Sequence, residues 1–296
     1  MRKIAYDKPI DINEIGKSTA IKILNDIPGP VYVEEKVDGE LHDTITACIE
    51  KNKYLLICFF GEKMLTKDVH ILTYKIPAKR LVFDIAIFSE NLDNPYYLKP
   101  EKAALLTFLT GQKFVPIDKK FNSGKEVSIE ILEVLLYMNS NFETFINPKL
   151  FEKNKETFNK LFNEAYNNRE GIVIKVYEKP EKPIFIKYVR DEFEEAKRIF
   201  PREKYPYPYF YSENIITPYD YEKFVKYWKN IFKTLGIYEE ATKIAEKLGG
   251  MKKIYEQYLE NYNLEEVEEI FSNLNPEIKN LLDKILNKIF NKIEKL

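Results

Sequence analysis

A lysine placed directly ahead of a tight turn is the feature of this sequence with the clearest chemical potential. Residues 31–33 are β-branched and aromatic and predict a strand, which brings Lys36 to the turn dipeptide Asp38-Gly39. A lysine amine is a nucleophile only when neutral, and its ordinary pKa of about 10.4 keeps it protonated at neutral pH. Lys36 would therefore need nearby cations, or a metal ion on the group that it attacks. On its own, a lysine beside a turn is usually ordinary surface.

Two later segments carry charged residues at or near the ends of apolar runs. Glu170 opens a run that ends at Lys175, and Lys187 lies in a second run, residues 184–189. Both runs predict strands, and a charged turn separates them. If these strands face Lys36, the two lysines supply positive charge that disfavours an ammonium and that can neutralise phosphates.

In order and spacing, these residues resemble the motifs of the covalent nucleotidyltransferases, the superfamily of ATP- and NAD-dependent polynucleotide ligases and mRNA capping enzymes. Lys36 begins a Lys-x-Asp-Gly motif, Glu170 begins a Glu-Gly-x-x-x-Lys motif, and Lys187 stands where a late lysine is found. The resemblance spans roughly residues 30–200. It implies that Lys36 attacks the α-phosphate of ATP to form a phosphoramidate, with ATP and Mg²⁺ or Mn²⁺ as cofactors.

The resemblance also implies a set of site residues. Asp38 would hold the turn or the amine, and Glu170 would hold a metal ion directly or through water. Phe83, in an apolar strand predicted over residues 79–88, would stack on the purine; Phe88 is the second candidate, and a plain core position is the alternative for both. The catalytic set is Lys36, Asp38, Lys175 and Lys187; the nucleotide-binding set is Glu34, Glu35, Lys36, Gly39, Phe83, Glu170, Lys175 and Lys187; the metal ligands are Glu170 and Asp84.

Three acidic residues are assigned by their place in the family pattern. The residue directly before the family's nucleophile lies near the purine ring, which makes Glu35 the first candidate for base recognition, with Glu34 behind it. The family's separate Asp-Gly-Glu-type motif has no counterpart between Leu65 and Arg80. Asp84 is therefore the candidate for the work of that missing acid.

Further positions depart from the family pattern. Leu41 stands where DNA ligases usually carry arginine, as in one group of phage-type RNA ligases. The arginine expected on the second strand is missing, and Lys63 or Arg80 could substitute for it. Val189 occupies the place of a second late lysine, and the adjacent Arg190 should point to the other face of a regular strand.

The order of predicted elements indicates an α+β fold. The resemblance implies an ATP-grasp-like nucleotidyltransferase domain, in which antiparallel sheets are flanked by helices. A hairpin is expected from residues 44–49 and 54–60. Helical patterns occur at residues 18–24, 100–109, 128–138, 147–167 and 191–200.

The pattern changes after a proline-rich segment, residues 201–209, which predicts a linker. Beyond it only helical periodicity occurs, beginning with an N-cap at Thr217-Pro218 and a helix that ends at Gly236. The chain is therefore divided into an adenylyltransferase domain, residues 1–205, and an all-α C-terminal domain, residues 206–296.

The helical C-terminal domain favours one branch of the superfamily. DNA ligases and capping enzymes append a β-barrel domain, whereas RNA ligases carry small helical C-terminal domains. The resemblance thus implies an ATP-dependent RNA ligase of the RNA-repair kind, which joins RNA 5′-phosphate and 3′-OH ends through lysyl-AMP and an RNA-adenylate. The alternatives are a DNA ligase or guanylyltransferase of the same superfamily, and a non-catalytic nucleotide- or RNA-binding relative.

Composition sets outer limits on these readings. The 296 residues carry a net charge of −1, so a polyanion must be bound by a local basic patch rather than by a global field. The only cysteines, Cys48 and Cys58, lie in apolar runs and predict no disulfide. No signal-like or membrane-length apolar run occurs, which predicts a soluble, cytoplasmic protein without a membrane partner. Abundant lysine, glutamate and isoleucine with little glutamine favour a thermophile or an AT-rich genome.

Overall fold

The computed structural model describes residues 6, 8–38, 40–46, 55–64, 71–89, 94–162, 166–199 and 214–293. Strands and helices are mixed along these ranges, and the C-terminal part is helical apart from one short strand, which confirms the α+β prediction. The strands are β1 (Ile10–Asp11), β2 (Val31–Lys36), β3 (Glu40–Thr46), β4 (Leu55–Lys63), β5 (Leu72–Ile76), β6 (Arg80–Ser89), β7 (Tyr96–Tyr97), β8 (Lys113–Phe114), β9 (Ile117–Phe121), β10 (Glu143–Ile146), β11 (Gly171–Val176), β12 (Ile184–Val189) and β13 (Ile215–Ile216). The helices are α1 (Ile12–Ile15), α2 (Lys17–Asn25), α3 (Pro100–Leu109), α4 (Ile129–Leu136), α5 (Pro148–Lys153), α6 (Lys155–Leu161), α7 (Asp191–Ile199), α8 (Tyr221–Leu235), α9 (Tyr238–Lys247), α10 (Met251–Asn261), α11 (Val267–Ser272) and α12 (Pro276–Ile293).

The first sheet carries Lys36 and both later lysines. Its strand order is β1-β12-β11-β2-β9, in which β2, β11 and β12 are antiparallel neighbours and β1 joins the edge in parallel. Lys36 lies opposite Gly171, which in turn lies opposite Val189. The strands of the three motifs are therefore adjacent, with β11 in the middle.

The second sheet is built around β6. Its order is β3-β4-β6-β7, with β8 paired in parallel to β6, and residues 81–87 of β6 are all buried, as their apolar run predicts. β3 and β4 pair antiparallel as expected for a hairpin, although the residues that would connect them, 47–54, lie outside the described ranges. A third sheet has the order β10-β5-β13.

The first sheet separates two hydrophobic clusters. One face carries Val33, Ile172 and Ile174, which belong to a cluster with Leu24 of α2 and Leu132 of α4. The other face turns toward a larger cluster that includes the second sheet, α3 and the C-terminal helices. Polar side chains on this second face are enclosed and must find partners within the protein.

Most predicted helices begin and end close to their expected positions. Pro100 is the first residue of α3, and Ser128 caps α4 by accepting a hydrogen bond from the N–H of Ile131. The single helix predicted over residues 147–167 is wrong. Two short helices, α5 and α6, stand there, because Asn154 leaves the helical conformation with φ −137° and ψ 32°.

Helix α8 begins later than the sequence predicts. Its N-cap is Asp220, whose carboxylate accepts a hydrogen bond from the N–H of Lys223, and the predicted cap at Thr217 is wrong. The N–H of Thr217 instead donates to the carbonyl of Ile76, which keeps this residue in an extended segment beside β5. Gly236 ends α8 in the left-handed region, with φ 76°, as its position predicts.

The C-terminal helices pack directly on the part of the chain that precedes them. The ring of Phe108 in α3 lies 5.1 Å from those of Trp228 and Phe232 in α8, measured between centroids. The predicted linker and the domain boundary near residue 205 lie outside the described residues, so the division into two domains stays a prediction.

The part of the chain that the structure describes contains neither a disulfide nor a candidate membrane helix. Cys58 is buried in β4, and Cys48 lies outside the described ranges. None of the described helices combines the length and the apolar character that crossing a bilayer requires.

A buried lysine connects β8 to the C-terminal helices. Lys113 has no exposed surface, and among the described residues its Nζ has no hydrogen-bond partner. Burial lowers the pKa of the Lys113 amine well below its ordinary value. Five aromatic rings, with centroids 4.2 to 5.7 Å from Nζ, enclose the amine: Tyr219, Phe224, Tyr227, Trp228 and Tyr258.

We expect the substitution Lys113→Met to raise the free energy of unfolding by about 1–3 kcal/mol, because it removes a buried donor without a partner. The gain should be largest in acid and shrink as pH rises towards about 10.4, since the unfolded chain holds the lysine proton over that range while the folded protein does not. Urea unfolding of both proteins at several pH values measures it. A variant less stable than the wild type at neutral pH would mean that the rings stabilise a charged ammonium instead.

Candidate active site

Strand register places the three predicted lysines on one face of the first sheet. Side chains alternate along a strand, so Glu34 and Lys36 of β2 share a face. Glu34 lies opposite Val173 of β11, and Val173 lies opposite Lys187 of β12. Lys175 follows two residues after Val173 and therefore points the same way. One face of three adjacent strands thus gathers positive charge.

A cavity of about 210 Å³ opens on that face. Six of the predicted site residues contribute to its lining: Glu34, Glu35, Lys36, Phe83, Lys175 and Lys187. The lining also includes Tyr6, Lys8 and Glu62, which the sequence did not single out. The cavity therefore combines amines, carboxylates and an aromatic ring from both large sheets.

Lys36 is held by a fully buried carboxylate. Its Nζ donates to Oε2 of Glu170 at 2.6 Å, and Nζ of Lys197 in α7 donates to Oε1 of Glu170, also at 2.6 Å. Burial alone would raise the pKa of the Glu170 carboxyl, but the charges of Lys36 and Lys197 outweigh it and lower the pKa. An ionised Glu170 therefore fixes the amine of Lys36 at the end of β2.

Asp38 lies just beyond Lys36 and is buried. Its backbone N–H donates to the hydroxyl of Tyr74 in β5 at 3.0 Å, which fixes the chain where it leaves β2. The role predicted for the Asp38 side chain stays a prediction, and Gly39 lies outside the described residues.

Lys175 is enclosed and fully bonded. Its Nζ lies 2.6 Å from Oε1 of Glu34 and 2.7 Å from Oδ2 of Asp84, and it donates to the carbonyl of Phe83 at 3.0 Å. An ammonium has three N–H groups, and these three acceptors use them all. Lys175 thus holds two carboxylates in place and has no further proton to offer a phosphate.

Glu34 presents a carboxylate oxygen without a partner. Burial raises the pKa of Glu34 to about 8, although the charge of Lys175 opposes that shift. Among the described residues Oε2 of Glu34 accepts no hydrogen bond, whereas Oε1 is paired with Lys175. With its pKa raised in this way, the Glu34 carboxyl is largely protonated at neutral pH, so the unpaired oxygen can donate as well as accept a hydrogen bond.

Glu35 turns its carboxylate away from the cavity face. It accepts hydrogen bonds from the hydroxyl of Ser140 and from the backbone and side-chain N–H groups of Asn141. Arg169 lies 3.6 Å away, and it is held by Asp118 through bonds of 2.6 and 3.1 Å. The two adjacent glutamates therefore serve opposite faces, and Glu34 rather than Glu35 has its carboxylate beside the cavity lysines.

Lys187 is paired with the N-terminal segment. Its Nζ lies 2.8 Å from Oδ2 of Asp11 in β1, the edge strand next to β12. Burial alone would raise the pKa of Asp11, but hydrogen bonds from Lys187 and from the N–H of Asn13 lower it. Lys187 lines the cavity, and Asp11 occupies one of the three N–H groups of its ammonium.

Phe83 is the aromatic residue of β6 that lines the cavity. Its ring lies 4.8 Å from Nζ of Lys175 and 5.0 Å from the ring of Tyr6, measured to centroids. Val173 is also part of the lining. Phe83 also belongs to the larger hydrophobic cluster, against which Phe88, the second candidate, packs without lining the cavity.

The substitutes considered for the missing arginine lie elsewhere. Lys63 is ion-paired with Glu265, and Arg80 donates to the carbonyl of Phe59. Neither side chain is among those that line the cavity. Arg190 is likewise paired with Glu192, at 3.0 Å.

The two predicted metal ligands are already paired with protein donors. Both oxygens of Glu170 bind lysine amines, and the oxygens of Asp84 accept bonds from Lys175, Tyr6 and Tyr177. Within the described ranges no group of three acidic, histidine or cysteine side chains is arranged to hold a metal ion. The arrangement of these carboxylates does not fit a resident cation.

Four residues at the site carried no sequence signal strong enough to be found. Tyr6 donates to Asp84 at 2.7 Å, and its ring stacks on Phe185 at 5.2 Å and 11°. Lys8 lies outside the motifs, and Lys197 lies in a helix 27 residues after Glu170. Glu62 lies in the Phe-Gly-Glu run of β4, where the family pattern predicts an arginine and gives no role to a glutamate.

Comparisons with known proteins add little to this geometry. No protein-family model and no curated protein matches the chain. Among solved structures, the chain is similar to one described as "Putative ATP-dependent DNA ligase from Aquifex aeolicus", with a TM-score of 0.37 and 16% identity over 96% of this chain and 75% of that one. The site is therefore interpreted from its own residues.

We expect Lys175→Met to lower the free energy of unfolding by about 3–5 kcal/mol, because it leaves two buried carboxylates without their common partner. Adding Asp84→Asn should recover part of that loss, since one of the stranded charges is removed. The control Lys179→Met, in an exposed turn, should change stability by less than about 0.5 kcal/mol. Urea unfolding of the wild type, of both single variants, of the double variant and of the control measures these losses, and strictly additive losses from Lys175→Met and Asp84→Asn would contradict this network.

Proposed function

We propose that this chain is an ATP-dependent nucleotidyltransferase of the ligase type, and more narrowly an RNA ligase. The observation that carries the proposal is the placement of Lys36, Lys175 and Lys187 on one sheet face around a single cavity, with Phe83 in its lining. These residues come from separate motifs, and the side chains of Lys36 and Lys187 are 23% and 26% exposed, whereas Lys175 is buried. The arrangement suits a nucleotide, which offers a flat base and a polyanion.

In the proposed first step, Nζ of Lys36 attacks the α-phosphorus of ATP. The N–P bond forms, the bond from the α-phosphorus to the bridging oxygen breaks, and pyrophosphate leaves. Starting from the ammonium, the nitrogen gives up two protons in forming the phosphoramidate; Glu170, whose Oε2 lies 2.6 Å away, would relay them to the departing pyrophosphate and to solvent, and so would end the step ionised. Lys187 lines the cavity and would bind phosphate oxygens in place of Asp11.

The remaining residues would orient the nucleotide. Phe83 would stack on the purine, and Val173 would pack on the base from the sheet. Glu34, which lines the cavity, would contact an edge of the base. The choice of ATP over GTP rests on the resemblance to the ligases. A divalent cation would arrive as part of the nucleotide substrate, since the protein carboxylates are occupied.

In the later steps AMP passes from Lys36 to a nucleic-acid 5′-phosphate, and a 3′-OH displaces it to form the phosphodiester. The helical C-terminal region supports the RNA branch, because it contains no barrel in the described residues. We further propose the domain division at residue 205, with residues 206–296 as a helical unit. A DNA ligase, a guanylyltransferase or a non-catalytic binding relative are the alternatives.

The first test is incubation with α-labelled ATP and Mg²⁺ or Mn²⁺, followed by denaturing separation. Protein treated with pyrophosphate to remove bound AMP should become labelled, and Lys36→Ala should not, because the N–P bond has no other proposed site. Lys17→Ala serves as the control, since Lys17 is an exposed lysine paired with Glu133. An unlabelled wild type would overturn the proposal in favour of the binding relative.

The second test separates the branches of the superfamily. Label from GTP in place of ATP would indicate a guanylyltransferase. With ATP, the adenylylated protein should join a 5′-phosphorylated RNA to an RNA 3′-OH end faster than it seals a nicked DNA duplex. Faster sealing of the nicked DNA would identify a DNA ligase instead.

A further inference from the structure

Glu170 is shared by two lysines that reach it from different elements. Its side chain has no exposed surface, and its two oxygens lie 2.6 Å from Lys36 at the end of β2 and from Lys197 in α7. One of these lysines is the proposed nucleophile, and the other has no assigned role. The pairing therefore raises the question of what happens to Glu170 when Lys36 reacts.

Lysyl-AMP formation changes the charge beside Glu170. The ammonium of Lys36 becomes a neutral phosphoramidate nitrogen, and the attached phosphate carries a negative charge. A carboxylate that is fully buried would then face an anion with one of its two cations gone. Buried charges are tolerated only when paired, so a second cation has to remain.

Lys197 is held where it can supply that cation. The N–H of Arg190, directly ahead of α7, donates to the backbone carbonyl of Glu170 at 3.0 Å. Phe193 of α7 is buried, and its ring lies 4.9 Å from that of Phe162. Both contacts fix α7 beside Glu170, so that Lys197 reaches Oε1 from the helix.

The neighbouring strand cannot supply the same charge. Val189 of β12 is the residue that lies across Gly171 from Lys36, and it is apolar and buried. Arg190 follows it but is bonded to Glu192 and Asn168. Lys197, which lies in helix α7, thus provides the positive charge that the apolar Val189 cannot provide from β12.

We propose that Lys197 is a positioning residue that keeps Glu170 paired after Lys36 is adenylylated, and so stabilises the covalent intermediate. This inference rests on the proposed function. It concerns the equilibrium between the free protein with ATP and the adenylylated protein with pyrophosphate. A residue that only supports the fold would leave that equilibrium unchanged.

The test measures the adenylylated fraction at equilibrium over a series of pyrophosphate concentrations. Lys197→Met should shift the equilibrium towards the free protein by about tenfold or more, because losing one partner of a buried charge outweighs the free energy of a tenfold change. Lys197→Arg should restore it, since the guanidinium keeps the charge. Arg198→Met, an exposed neighbour in α7, is the matched control and should behave as wild type.

A second variant distinguishes the proposed effect of Lys197→Met from a loss that arises only because the variant folds poorly. Adding Glu170→Gln removes the charge that needs a partner, so the double variant should have an equilibrium closer to that of wild type than Lys197→Met alone, however slowly it is reached. Equal equilibria in wild type and Lys197→Met, or no relief in the double variant, would overturn the inference. A wild type that forms no adduct would instead overturn the proposed function.

Discussion

Buried carboxylates that must keep a positive partner are the constraint on which this structure depends. Glu34, Asp84 and Glu170 are at most 3% exposed, and each is paired with a lysine. Removing one partner of a buried pair costs about 3–5 kcal/mol, whereas an exposed pair contributes about 0–1 kcal/mol. Lys175 is therefore expected to be needed for stability as well as for the proposed reaction. If replacing Lys175 abolishes activity, the loss can be interpreted only when the folding of that variant is measured as well.

This pairing depends on the register of the first sheet. A shift of one residue between β11 and β2 would turn Lys175 into the apolar cluster and would bring Ile174 to the cavity face. Each face of the first sheet specifies this register independently. On one face Ile172 and Ile174 are buried in the apolar cluster, and on the other face Lys175 is paired with Glu34. The candidate site thus lies on strands whose register is determined from both faces of the sheet.

The same logic explains what the sequence could predict. Apolar and β-branched runs bounded by turn signals predict β2, β11 and β12. Alternation along a strand places Glu34 on the same face as Lys36, whereas the family pattern favours Glu35. The role of Lys197 could not be found, because its contact with Glu170 arises from how α7 packs rather than from spacing along the chain. The break at Asn154 and the cap at Asp220 were missed for a similar reason: local geometry and a hydrogen bond to β5 overrode a plausible helical pattern.

The paired state of the lysines also bears on how a chain of net charge −1 could bind a polyanion. Lys187 and Lys36 are each bonded to a carboxylate, so an incoming phosphate would compete with an anion that is already in place. Replacement is easier at Lys187, because the side chain of Asp11 is 11% exposed on a two-residue edge strand, while Glu170 is completely buried. Phosphates should therefore engage Lys187 first. In the proposed reaction, Lys36 can then leave Glu170 and attack the α-phosphorus. Glu170 keeps a positive partner, because Lys197 remains paired with its other oxygen.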